Sequence, residues 1–314
     1  MIHCVNLNAT LDELFVLPSL SLGGVNRAVA TLSYPGGKGN NAARAVALLG
    51  GKARLHAFTS LKERSMALSF FRGRGVEAKL TAVGGSYRPC LVILDAERNQ
   101  ETVVNSASQL KVGAAALARL KAGLLKGVQA GDIVTFSGSI PEGLREDSYA
   151  SLIKAVVARG GVALLDAYGP ALRLGVEAAP FMVKPNAEEL GEAFGVPTAT
   201  RDQVIRAGRA LLRKGVRCVI VTLGDHGAVC VTQREVLYAT PLPTPRGLIS
   251  PVGCGDAFLG AMARGLERGW ELSDCLRLAT AAAWANLGVP GAVFFDPKLV
   301  KAQIPLVKIS RLAS

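Results

Sequence analysis

The sequence predicts an α/β fold, a core around a mostly parallel sheet, with a small β layer set apart from it. Three observations carry this. Apolar runs of strand length alternate many times with stretches of helical spacing, the pattern of right-handed βαβ units. Two stretches, Leu14 to Tyr34 and Arg88 to Val104, lack helical periodicity and read as β without intervening helices. Half of the 314 residues are hydrophobic but only 5% are aromatic, so a sizeable core is built from Ala, Leu and Val, and general disorder is excluded.

In order along the chain, Ile2–Leu7 is a short apolar run. Asn40–Leu49 has apolar positions at helical spacing and stops at Gly50-Gly51. Leu55–Thr59 reads as a strand, and Met66–Arg72 as a helix ended by Gly73 and Gly75. Leu91–Asp95 and Glu101–Val104 are the clearest strands of the separate β layer. Val112–Leu125 is an Ala/Leu-rich helix, Ile133–Phe136 a buried strand, and Ser148–Val157 a helix. Val162–Leu165, Phe181–Val183 and Val219–Leu223 are further strands. Helices are expected near Ala187–Phe194, Val204–Leu212, Ala257–Leu266 and Cys275–Asn286. The longest stretch without charge, Leu278 to Phe295, holds Asn286, Gly288, Pro290 and Gly291. It reads as a buried helix and a turn, not a membrane span.

The net charge is +12, which favours anionic ligands. The cations are scattered, with no run of five and few aromatic neighbours, so nucleic acid is disfavoured as a partner. Cysteines 4, 90, 218, 230, 254 and 275 form no C-x-x-C pair, and several sit in apolar runs. Buried free thiols of a reducing cytoplasm fit better than disulfides. His3, His56 and His226 are far apart and no H-E-x-x-H occurs, so a zinc hydrolase has no support. Met1–Val5 shows no basic region before an apolar one, so no signal peptide is expected.

Two glycine-rich segments open helices. In Pro35-Gly36-Gly37-Lys38-Gly39-Asn40-Asn41 the glycines admit a ligand to the backbone, and the helix start and Lys38 favour an anion or polar hydroxyls. A plain turn would not need two asparagines and a lysine. The dinucleotide pattern it also matches is set aside, because the next strand ends Phe58-Thr59-Ser60 without an acid for a ribose. In Val252-Gly253-Cys254-Gly255-Asp256 the turn offers N–H groups for an anion hole beside a carboxylate. Phosphoryl transfer to an alcohol needs that combination. No Walker A motif is present, because neither Gly37-Lys38 nor Gly51-Lys52 is followed by Ser or Thr.

Gly36–Gly50 resembles the first signature of the ribokinase/PfkB sugar-kinase family, and Val252–Asp256 resembles its second. Val183–Leu190 is similar to its N-x-x-E segment, and Thr222–Ala228 to its ATP-side loop. Leu7-Asn8-Ala9-Thr10-Leu11-Asp12, Gly24-Val25-Asn26-Arg27 and Ser137-Gly138-Ser139-Ile140-Pro141 resemble segments of the family's phosphosugar branch. Cys254 stands where Ala or Ser is usual, and Tyr87-Arg88-Pro89-Cys90 where the branch often has T-R-x-N. The resemblance implies a single ribokinase-like domain over 1–314, a three-layer α/β/α core with a mostly parallel sheet, and a small β-sheet lid from insertions at about 13–35 and 87–105.

It also implies roles. Asp256 would be general base, with Gly253, Cys254 and Gly255 as anion hole. Asp12 and Asn41 would hold sugar hydroxyls, with Gly37 and Gly39 allowing close approach. Arg27, Lys38, Arg88 and Ser139 are the candidates for the substrate's own phosphate. Lys184, Asn186 and Glu189 would face the ATP phosphates and Mg²⁺, Glu189 and Asn186 being the metal candidates, while Thr222, Gly224 and Gly227 would line the nucleotide loop. The expected activity is ATP-dependent phosphorylation of a ketohexose phosphate: fructose 1-phosphate at C6, or a 6-phosphate of tagatose or fructose at C1. A sugar-phosphate-binding regulator without catalysis is the alternative outside enzymes, and Asp256 argues against it. A cytoplasmic homodimer joined through the lids, with no membrane partner, completes the expectation.

Overall fold

The computed structural model of the chain describes residues 1–247 and 249–312. Strand β1 (Ile2–Asn6) opens the core, and the chain then leaves it for β2 (Thr10–Leu17) and β3 (Ala30–Gly36) before helix α1 (Lys38–Leu48) returns. β4 (Ala53–Ser60), α2 (Arg64–Phe71) and β5 (Val76–Gly85) extend the core, and β6 (Arg88–Asp95) and β7 (Gln100–Asn105) leave it again. The short β8 (Leu110–Lys111) leads to α3 (Ala114–Gly127), β9 (Ile133–Ser137), α4 (Ser148–Val157), β10 (Val162–Asp166) and α5 (Gly169–Val176). β11 (Met182–Val183), α6 (Ala187–Phe194), α7 (Arg201–Leu212), β12 (Cys218–Thr222), β13 (Ala228–Thr232) and β14 (Val236–Ala239) follow. The last elements are α8 (Cys254–Glu267), α9 (Leu272–Leu287), α10 (Pro297–Gln303) and β15 (Ile309–Leu312).

The core sheet has 11 strands in the order β15-β14-β13-β12-β11-β10-β9-β1-β4-β5-β8. From β12 to β5 every pairing is parallel, and the edges are antiparallel. Strict alternation along the strands buries both faces. In β12, Val219 and Val221 pack with α3, α4, α5, α6 and α7, while Cys218 and Ile220 pack with α1, α2, α8, α9 and α10. The fold is ribokinase-like, three layers with the sheet in the middle. β1 lies between β4 and β9, so strand order diverges on either side of it. In open α/β sheets ligands bind in the crevice beyond the carboxyl ends of strands at such a point.

The small sheet runs β3-β2-β6-β7. It is mixed: β2 pairs with β6 in parallel, and both outer strands are antiparallel. Residues 18–29 form no strand, so the β reading of Leu14 to Tyr34 holds only at its ends. The expected helix over Val112–Leu125 begins at Ala114, because Val112 is buried before the Gly113 cap. Sequence reading missed α5, whose Gly169-Pro170 start looks like a loop; Gly175 packs it directly onto Leu165 of β10. All six cysteines are free. Among the described residues no helix is long and apolar enough to cross a membrane.

Candidate active site

Strand ends, two helix starts and the small sheet converge on one cleft of about 1720 Å³. From the core it receives Asn8 after β1, Lys184 and Asn186 after β11, and Thr222 at the end of β12. From helix starts it receives Lys38 and Asn41 of α1 and Cys254, Gly255 and Asp256 of α8. The small sheet contributes Asp12 of β2 and Arg88 of β6.

Asp256 sits in the first turn of α8 and is buried, 6% exposed. Asn41 Nδ2 donates to its Oδ2 at 2.8 Å. The Asn41 Oδ1 atom, also buried, has no hydrogen-bond partner among the described residues. Burial pushes the Asp256 carboxyl up to about 6, with the nearby Asp166 charge adding to the rise and Lys38, Asn41 and Lys184 opposing it. A carboxylate with that pKa is ionised near neutral pH and still basic enough to take a proton. Gly253 precedes the helix in a left-handed conformation, φ +82°, which packs its Cα against Ala292. Lys184 Nζ stands beside the turn, 3.5 Å from where a side chain on Gly255 would begin. The Cys254 N–H, expected to join the anion hole, instead donates to the Pro251 carbonyl at 3.1 Å. A helix leaves its first N–H groups without internal acceptors, so Gly253 and Gly255 are the candidates that remain for that expectation. The Cys254 thiol is pushed up to about 12 by burial and is inert.

Asp166, at the end of β10, is the charge centre of the cleft floor. Lys184 Nζ lies 3.0 Å from its Oδ2, and Lys38 Nζ 3.2 Å from its Oδ1. Burial would raise its pKa, but Lys184 and Lys38 hold it below the ordinary carboxylate range. Burial lowers the Lys38 pKa, yet Asp166, Glu189 and Asp256 more than reverse this, so its ammonium stays charged. Lys38 and Lys184 flank this fully buried acid and present two ammonium groups to the cleft, where an anion's oxygens can meet them.

Under the small sheet, burial raises the Asp12 pKa, against bonds from Thr10 and the Gly37 N–H and the charges of Arg44 and Arg88. Asn8 Nδ2 donates to Ser139 Oγ at 2.9 Å, and Ser108 Oγ donates to Asn8 Oδ1 at 3.0 Å. Arg88 donates from one terminal nitrogen to Asn105 Oδ1 and Ser106 O, at 3.2 and 3.0 Å. Its buried Nε has no partner among the described residues.

On the opposite side, Asn186 caps α6. Its Oδ1 accepts from the Glu189 N–H at 2.7 Å, and Glu189 Oε2 accepts from the Asn186 N–H at 2.9 Å. The N-x-x-E spacing is therefore a capping box. Gly224 and Gly227 flank a single 3₁₀ turn after β12 and line the cleft with Thr222. Among the described residues no three His, Cys, Asp or Glu side chains form a metal cage. A magnesium ion needs only one or two carboxylates beside its waters and a ligand's phosphates. Glu189 Oε1, 3.6 Å from Lys38 Nζ, fits that requirement, whereas Asn186 Oδ1 is engaged in the cap.

Two expected site residues lie elsewhere. Arg27 is on the exposed segment between β2 and β3 and does not line the cleft. Gly39 faces away from the cleft: a side chain there would meet the Val5 carbonyl at 2.6 Å, so it is the point where α1 packs onto β1. Sequence reasoning missed three residues. Asp166 is signalled only by an acid closing an apolar strand. Asn8 was visible in its motif without a role. Asn286 of α9 donates to the Val252 carbonyl at 2.9 Å and accepts from the Val293 N–H, pinning the glycine turn, and nothing in the sequence marks it.

The profile of the pfkB family carbohydrate kinase matches residues 6–299. The chain is 34% identical to a 1-phosphofructokinase of Xanthomonas campestris pv. campestris, over 95% of this chain and 94% of that one. It is 32% identical to a 1-phosphofructokinase of Rhodobacter capsulatus, over 99% and 98%. Its fold resembles that of Escherichia coli phosphofructokinase-2 in complex with fructose-6-phosphate, with a TM-score of 0.86 at 24% identity, covering 96% of this chain and 98% of that one.

Proposed function

Because the chain belongs to the pfkB family of carbohydrate kinases, we propose that it transfers the γ-phosphoryl group of ATP to the C6 hydroxyl of fructose 1-phosphate, giving fructose 1,6-bisphosphate and ADP. The observation that carries the reading is Asp256, buried at the head of α8 and tethered by Asn41, in the same cleft as the Lys38–Asp166–Lys184 cluster. The names of the relatives support the choice of acceptor.

Asp256 takes the proton of the attacking hydroxyl as the bond from sugar oxygen to γ-phosphorus forms and the bond to the β-bridging oxygen breaks. Lys184 and the N–H groups of Gly253 and Gly255 receive the charge on the phosphoryl oxygens, and Lys38 keeps Asp166 from repelling them. Asp12 and the free Oδ1 of Asn41 orient the sugar ring. Arg88 and Ser139 hold the phosphate already on the sugar, at the far end from Asp256. Thr222, Gly224 and Gly227 line the nucleotide loop. Glu189 would hold Mg²⁺, which would supply further charge neutralisation to the ATP phosphates. The chain is one kinase domain, and its small sheet is the lid that excludes water, so that the sugar rather than hydroxide is the acceptor. Two copies pair through these lids in the cytoplasm.

Steady-state kinetics on fructose 1-phosphate, fructose 6-phosphate, tagatose 6-phosphate and unphosphorylated fructose test this. The expected order places fructose 1-phosphate highest in kcat/KM. A higher value for either 6-phosphate would replace the acceptor, and equal use of fructose would remove the phosphate-binding role. Arg88→Ala should raise KM for the sugar phosphate at least tenfold with little change for ATP, since a charge-assisted hydrogen bond contributes about 1.5–3 kcal/mol.

A further inference from the structure

The small sheet is fastened to the segment that feeds the glycine turn. At its β6–β7 hairpin, Asn99 spans two backbone groups: its Nδ2 donates to the Gly247 carbonyl at 3.2 Å, and its Oδ1 accepts from the Ile249 N–H at 2.8 Å. Asn99 holds φ +51° to do so, a left-handed conformation that asparagine tolerates. Two residues on, the Glu101 carboxylate accepts from the Ser250 hydroxyl, and the Val252 backbone opposes the rise that burial causes in its pKa. Ser250 is 1% exposed. Val252 packs against the apolar cluster of the small sheet formed by Leu14, Cys90, Val92 and Leu94. Gly253 follows Val252 directly.

The same sheet carries Asp12 and Arg88, and Asp12 faces Cys90 in the β2–β6 register. The groups that would meet the acceptor and the turn that would meet the transferring phosphoryl group are thus parts of one hydrogen-bonded body. A lid serving only as a cover would need contacts with the rim of the cleft. This one bonds to the residues that set the start of α8.

We propose that Asn99 and Glu101 are positioning residues that transmit the seating of the acceptor under the small sheet to the Gly253–Asp256 turn, so that the phosphoryl site is fully formed only when the sheet is latched. This deepens the kinase reading and rests on it. Glu101 acts through Ser250 and Val252, and Asn99 through Gly247 and Ile249. Neither touches the substrates. The latch ties the phosphoryl site to the sheet that holds the acceptor, so that the two sides of the cleft are set together.

The test uses Asn99→Ala, Glu101→Gln and Ser250→Ala in the full chain, with two readouts. Amide hydrogen exchange of the ligand-free protein should quicken at least tenfold at Gly253–Asp256 in the Asn99 and Glu101 variants, with β9 and β10 unchanged. Unchanged exchange at the turn would overturn the proposal whatever the acceptor is. On the acceptor the wild type uses best, kcat should fall at least tenfold while KM for ATP stays within twofold. Glu101→Gln and Ser250→Ala combined should cost no more than the worse of the two. Independent, multiplying effects, or a lowered Tm with unchanged kcat, would reduce Glu101 to a structural residue. Failure of the wild type on every ketohexose phosphate would sink the kinase reading instead, and the exchange result would still decide the latch.

Discussion

Asp256 is a carboxylate held against its own solvation. Burial favours its neutral form, and Lys38, Lys184 and the Asn41 amide bring it back to about 6. A general base must be ionised to work, so kcat/KM should fall tenfold per pH unit below about 6 and level off above. Asp256→Asn keeps the shape and the contact with Asn41 but cannot accept a proton. It should lower kcat by about 10²–10⁴-fold with little change in KM for either substrate. A variant with near-normal kcat would take Asp256 out of the mechanism. The placement of Asp256 and Asn41 in the cleft was legible because each sits in a contiguous signature. Arg27 lies outside this chain's cleft although its motif is just as local: where the chain carries it is a property of residues 18–29, which form no strand.

At the scale of elements, the tether between Asn41 and Asp256 depends on how closely α1 and α8 approach. They meet at Gly260, where an added methyl would lie 2.5 Å from the Ala45 Cβ and 2.8 Å from the Ala42 carbonyl. Gly260→Ala should therefore push the two helices apart and cost about 1–3 kcal/mol in denaturant unfolding. It should also lower kcat, by lengthening the Asn41–Asp256 bond. Unchanged stability would mean that the helices slide without strain. At the other end of the sheet, strands β1 and β4 bury His3 and His56 side by side, Nδ1 to Nε2 at 3.1 Å, with Asp132 Oδ2 3.4 Å from His3 Nε2. Burial lowers both, His56 to about 3 with the His3 charge adding to the drop. Both pKa values lie below the unfolded one, so the unfolded chain takes protons first as the pH falls. Their contribution is complete above about 6.5 and is lost progressively from there towards about 3. Melting temperatures from pH 7.5 to 4.5 should fall more steeply for the wild type than for His56→Gln, and parallel curves would exclude the pair as the cause.

At the scale of the whole molecule, the arm between β2 and β3 leaves Leu22, Val25 and Val29 exposed by 89, 82 and 69%. Three exposed apolar side chains on one arm make it the candidate interaction surface. The wild-type chain should sediment as a dimer of 32.7 kDa subunits, and Val25→Lys with Val29→Lys should give the monomer. A wild-type monomer at micromolar concentration would reject lid pairing.

Most of the architecture was determined by the sequence itself. Strand and helix alternation follows from local periodicity, and α4 and α6 fall at the expected residues, Ser148–Val157 and Ala187–Phe194. The two glycine turns were legible because close approach and helix starts are written in adjacent residues. Tertiary structure decided what no local pattern holds. Asp166 became the shared partner of Lys38 and Lys184, residues 128 and 18 positions away in the chain. Asn286 reached back to Val252, Asn99 and Glu101 crossed about 150 positions to the segment before Gly253, and the Cys254 N–H was taken by the Pro251 carbonyl. The reason is physical. Periodicity and turn chemistry act within a few residues. The partner of a buried charge or amide is chosen by whichever distant element the packing brings within hydrogen-bonding reach, because in a dry interior a polar group left without one is costly.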